Sequence, residues 1–167
     1  MKIGKTTTRY ADAASIVEAL RRHHSDPQQW CFIANLRMGT GFRAWSMGLN
    51  LANVEQSIDA WVMALWPSMK FEKTAYEVKV SRNDFFRELG HPQKRQAALS
   101  VSNRFYFAVP ASLVSIAEIP TEAGLVYITA QGCHIAKLAP RREGPEPSWS
   151  FIASVARRLQ KVQEDDT

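Results

Sequence analysis

Glu77 and Lys79 stand two residues apart in Tyr76-Glu77-Val78-Lys79-Val80, a stretch that is otherwise apolar. Side chains alternate between faces along an extended strand. Tyr76, Val78 and Val80 therefore share one face and can enter a core, while Glu77 and Lys79 share the other. A charge taken out of water is costly unless it is paired or bound to a metal. A surface strand with a Glu/Lys face is the plain alternative. Asp59 narrows the choice. It is the only charged residue between Glu55 and Lys70, and it interrupts the run Ile58-Asp59-Ala60-Trp61-Val62-Met63. If that run pairs with 74–80, Asp59 lies beside Glu77; otherwise it is an acid at a strand edge meeting solvent.

Two carboxylates on neighbouring strands supply oxygen ligands for a hard divalent ion. Magnesium takes one or two carboxylates and leaves the rest of its shell to water and substrate phosphate. Asp59 and Glu77 are the candidate metal ligands, and the Val78 carbonyl between the motif residues is a third donor. Such an ion, Mg2+ or Mn2+, acidifies a water and stabilises charge on a phosphate. Lys79 would hold the attacking water or neutralise the pentacovalent phosphate, and it offsets repulsion between the two acids before a metal arrives.

An Asp on one strand followed by E-x-K on the next, after an N-terminal helix, resembles the PD-(D/E)XK nuclease superfamily. Ile58-Asp59-Ala60-Trp61 together with Ala75-Tyr76-Glu77-Val78-Lys79-Val80-Ser81-Arg82-Asn83-Asp84-Phe85 is similar to its MmcB-like branch, which is associated with DNA repair. Asn103-Arg104-Phe105-Tyr106-Phe107-Ala108-Val109-Pro110, Glu118-Ile119-Pro120 and Gly124-Leu125 extend the likeness, which runs from about 30 to 158. The resemblance implies a restriction-endonuclease-like fold and a metal-dependent DNA nuclease acting in repair or processing. It implies Asp59 and Glu77 as metal ligands and Lys79 as the catalytic lysine. Ile58 stands where the name-giving proline would be, and no Q-x-x-x-Y follows as in the RecB-like branch. Related folds include members that bind DNA without cutting it, so a silent DNA-binding or adaptor module is the alternative.

Around this centre several residues have two readings. Ser81 and Asp84 form an S-x-x-D capping box, with Asp84 as a third ligand the minor option. A helix starting at Ser81 offers free N–H groups to a phosphate, and Arg82 on its first turn could grip the same backbone. From Lys79 to Arg104 six bases (Lys79, Arg82, Arg87, Lys94, Arg95 and Arg104) face only Asp84 and Glu88. Lys94, Arg95 and Arg104 are candidates for phosphate contact or for a solvated face. Arg43, after Gly39-Thr40-Gly41, is a candidate DNA contact; that Gly-rich turn lacks the Lys-Ser/Thr of a phosphate-binding loop. Glu18 on the first helix is either an extra metal-site acid or a surface residue. Phe85, Phe86 and Leu89 read as core.

The elements that must position these groups follow from periodicity and punctuation. A first helix begins near Thr6-Thr7-Thr8, carries Tyr10, Ala13, Val17 and Leu20 on one side, and ends by Asp26-Pro27. Strands are expected at 30–37, 58–65 and 74–80, helices at 81–89 and 92–100, and a strand at 104–109 stopped by Pro110. Two further strands, 124–129 and 133–138, flank Ala130-Gln131-Gly132. Ser148 caps a last helix through Ile152, Val155, Ala156 and Leu159. Helices before and after the strands give an α/β fold, a mixed central sheet flanked by helices.

The chain of 167 residues suits one domain over 1–167 with a short acidic tail at 162–167. Net charge is +5; three of the 16 acids lie in that tail, so 21 bases face 13 acids over the rest. A basic body attracts polyanions, and DNA is the expected partner. A repair protein is a further candidate. A homodimer would be needed to cut both strands. Cys31 and Cys133 belong to no C-x-x-C pair and read as buried free thiols. No signal peptide and no apolar run long enough for a membrane is visible, which leads to an expectation of a cytoplasmic protein without a membrane partner.

Overall fold

The computed structural model describes residues 12–38 and 57–165. Helix α1 (Ala13–His23) opens on Asp12, whose side chain accepts the Ser15 N–H at 2.7 Å. Asp is among the preferred caps for these orphan donors, and Arg21, Arg22 and His23 in the last turn suit the negative end of the helix dipole. The cap is thus Asp12; the Thr6–Thr8 cluster expected in that role lies outside the described residues. Six strands follow with three helices among and after them: β1 (Trp30–Arg37), β2 (Ser57–Ala64), β3 (Lys73–Val78), α2 (Arg82–Leu89), α3 (Pro92–Ser100), β4 (Arg104–Pro110), β5 (Gly124–Thr129), β6 (Gly132–Lys137) and α4 (Trp149–Asp165). Pro110 is the last residue of β4, still paired with Ile128, instead of ending the strand before itself.

The strands form one mixed sheet in the order β1-β2-β3-β4-β5-β6. β1, β2 and β3 are antiparallel neighbours, β3, β4 and β5 run parallel, and β6 returns antiparallel to β5. The parallel step from β3 to β4 requires a crossover, which α2 and α3 provide. Alternation along each strand feeds two apolar layers. Ala60, Val62, Tyr76, Val78, Tyr106 and Val126 meet Ile16, Ala19 and Leu20 of α1 on one face. Trp61, Ala75, Phe105, Phe107 and Leu125 meet Phe85, Ala98 and Phe151 of the other three helices on the opposite face. The fold is therefore mixed α/β, a central sheet flanked by helices.

Two backbone features shape the sheet. Asn35 has φ +50° and is left out between the pairs Ala34–Ala60 and Leu36–Ile58, although the register is the same on both sides. Arg158 of α4 donates to the adjacent Ala34 carbonyl at 3.0 Å. Gly124 begins β5 under the Tyr106 ring; an added Cβ would overlap that ring and lie 2.6 Å from the Ala139 nitrogen. Among the described residues no helix is long and apolar enough to cross a membrane.

Candidate functional site

β2 and β3 pair from Met63–Lys73 to Ala60–Tyr76 and then part. β2 stays with β1 through Ile58–Leu36 and Ser57–Arg37, while β3 stays with β4 through Glu77–Phe107 and Val78–Ala108. The Lys79 N–H continues that ladder by donating to the Ala108 carbonyl at 3.1 Å. Beyond the fork the register would bring Asp59 opposite Glu77 and then Ile58 opposite Val78. Instead the Val78 N–H donates to Asp59 Oδ2 at 2.8 Å. A side chain has replaced a backbone rung, and its carboxylate is held at the mouth of the gap.

The gap opens into a cleft of about 190 Å3 whose polar lining includes Asp59, Glu77, Lys79, Glu88, Lys94 and Arg95. Lys79 Nζ lies 2.7 Å from Glu77 Oε1 and 3.4 Å from Glu88 Oε2. The side chains of Glu77, Lys79 and Glu88 keep 20%, 15% and 8% of their surface, so the first two meet solvent and Glu88 barely does. Burial raises the Asp59 carboxyl above its usual range, against the Val78 N–H and Lys79, which favour the anion. Glu77 is pushed up to about 7, first by burial and then by the neighbouring charge of Asp59. Burial pulls the Lys79 ammonium down, yet Glu77, Glu88 and Asp59 together hold it above the usual lysine range. Three acids thus surround the Lys79 ammonium, while of the other two bases in the lining Arg95 is paired with Glu122 and Lys94 lies on the exposed rim.

Asp59, Glu77 and Lys79 line the same cleft. The surrounding candidates fare differently. Ser81 caps α2, its hydroxyl bonded to Asp84 Oδ2 at 2.9 Å and accepting the Asp84 N–H at 3.2 Å. Asp84 also pairs with Arg87 and is not among the residues lining the cleft. Arg82 donates to both Glu118 oxygens and to the Leu113 carbonyl, tying α2 to the β4–β5 connection. Arg95 is buried, bonded to the Glu88 carbonyl at 3.0 Å and to Glu122 at 3.2 Å. Lys94 is exposed at the cleft.

Arg104 bonds Glu72 and the Ala139 carbonyl at the start of β4. It lies at the other end of the β3–β4 ladder from the acids, in register with Thr74. Glu18 is exposed on α1, across the sheet from the cleft, and pairs with Arg21 and Arg22. It therefore does not join Asp59 and Glu77. Arg43 lies outside the described residues. Phe86, expected in the core, is 44% exposed beneath the Arg82 guanidinium. Cys31 and Cys133 are free and half-buried.

Glu88 is the site residue that motif reading missed. Its signal was its place three residues after Phe85, on the inward stripe of α2. A larger hollow of about 350 Å3 lies beside α1 and the β5–β6 turn, lined by Arg22, His23, Gln131 and Cys133. Among the described residues no acid lines it. Among the described residues no group of three or more His, Cys, Asp or Glu side chains is arranged to hold a metal ion. What the cleft offers is a pair of strand carboxylates, a donor set suited to a hard ion that keeps most of its own water.

No family model matches the chain, and no curated protein matches it. Among solved structures it is similar to SPO1766, a protein of unknown function from Silicibacter pomeroyi. The identity is 23% and the TM-score 0.54, over 91% of this chain and 90% of that one. This likeness concerns the fold.

Proposed function

We propose that the chain is a Mg2+- or Mn2+-dependent nuclease that hydrolyses DNA phosphodiester bonds, with a restriction-endonuclease-like fold of the PD-(D/E)XK class. One observation supports this reading above the others. The sheet forks at Asp59, and the fork gathers Asp59, Glu77 and Lys79 in one solvent-reached cleft. Acids disfavoured by burial and by each other are stabilised by a cation. Asp59, Glu77 and the Val78 carbonyl would hold it. Bound there, it would supply Lewis-acid stabilisation of the phosphate and a water acidic enough to attack near neutral pH. Val78 fixes Asp59 through its amide, so that carboxylate is oriented before any ligand arrives. Lys79 presents its ammonium to negative charge building on the phosphate.

The test is cleavage of plasmid and oligonucleotide DNA with Mg2+ or Mn2+. Glu77→Gln and Lys79→Ala each lower the rate by at least about 100-fold, the usual scale for losing such a group. Equal rates in all three proteins would remove the proposed centre.

A second reading, a DNA-binding module without cleavage, is favoured by the ion pairs of Lys79. They neutralise part of the acidic cluster with no metal at all. It requires DNA binding with no detectable uptake of Mn2+ in calorimetry.

A further inference from the structure

We propose that Glu88 is the positioning residue for Lys79, the acceptor that takes the ammonium when Glu77 turns to a cation. This rests on the reading that Asp59 and Glu77 hold a divalent ion. Glu77 has two tasks that compete. Its Oε1 accepts a 2.7 Å charge-assisted bond from Lys79, and the same carboxylate is a proposed ligand. An ammonium and a divalent cation repel each other across a shared carboxylate. Lys79 therefore needs a second acid within reach that is not itself a ligand.

Glu88 fits that need. It comes from α2 and not from the strands, and its side chain is nine-tenths buried. A carboxylate so placed is costly without a partner, and the base beside it is Lys79, 3.4 Å away. That distance is just beyond a full charge-assisted bond of about 2.8 Å, so a small swing of the flexible lysine stem closes it. The rest of Glu88 is fixed. Its carbonyl accepts Arg95 Nη1, Arg95 is buried and anchored on Glu122, and Ser81 caps the start of the same helix. The acids facing Lys79 are Glu77, Glu88 and Asp59, and Glu88 is the one outside the strand pair.

The experiment measures Mn2+ affinity of the full chain by calorimetry, without DNA, for wild type, Glu88→Gln, Lys79→Met and the double variant. Glu88→Gln weakens Mn2+ by about tenfold, as for loss of a group that orients a ligand, because Lys79 then has only Glu77 to hold. In the Lys79→Met background the same change alters affinity by less than about twofold, since there is no ammonium left to place. Equal weakening in both backgrounds, or none in the first, overturns the proposal and leaves the nuclease reading standing. Absence of Mn2+ binding by wild type overturns both. Glu88→Asp covers the case in which Lys79→Met does not fold, because it keeps the charge but loses the reach. Weakening like that of Glu88→Gln upholds the positioning role, and wild-type affinity overturns it.

Discussion

Burial pushes Lys79 and His24 in the same direction, toward the neutral form, and their partners decide the outcome. Lys79 faces three acids and stays charged. His24 is packed against Trp30 with its Nε2 2.9 Å from Tyr76 Oη, and its buried Nδ1 has no hydrogen-bond partner among the described residues. Burial, with the charge of His23 adding, lowers it from 6.5 to about 4. The folded state thus holds fewer protons here than the unfolded chain between those values. The contribution to stability is complete above 6.5 and is lost as pH falls toward 4. Urea unfolding at pH 7.5 and pH 5 should show wild type losing about 2 kcal/mol more than His24→Phe over that interval. Equal losses would mean that this imidazole does not titrate against the fold.

Among the elements, β5 depends on a residue without a side chain. Gly124 lies where Tyr106 and the Ala139 backbone leave no space. Gly124→Ala should therefore destabilise the protein by about 3 kcal/mol, near the upper end for an overpacked core, as a drop in the urea midpoint with unchanged slope. That constraint is invisible in the sequence, where Gly124 simply opens an apolar run. The element order was legible because most strands are short runs rich in β-branched or aromatic residues between breakers. Asp59, Glu77 and Lys79 were legible for a related reason: charge is conspicuous in an apolar strand. The roles of the arginines were not. Arg82, Arg95 and Arg104 find acids 36, 27 and 32 residues away, and no local pattern announces such pairs. Glu88 was hidden by its helix, because Phe85 and Phe86 both read as core and only the outward turn of Phe86 fixes the inward stripe as the one that Phe85 shares with Glu88.

On the scale of the whole molecule, 21 bases against 16 acids give the net charge of +5. The arginines near the cleft already serve the fold, which leaves Lys94 as an exposed cation at its edge. Binding of a short DNA duplex should weaken as salt rises, and Lys94→Ala should reduce the slope of log K against log salt by about one. An unchanged slope would place the DNA contacts elsewhere, and no binding at low salt would remove DNA as the partner. The same view gives the forked sheet a second meaning. The β1–β2 arm is joined to the other four strands along the backbone rungs that end at Ala60–Tyr76, and Asp59 fastens the last stitch of that seam with its side chain. Alanine at 59 would unpick the seam as well as delete a charge, stranding the Val78 amide. Asparagine retains an oxygen for that amide, so the two replacements separate carpentry from chemistry at a position where one residue performs both.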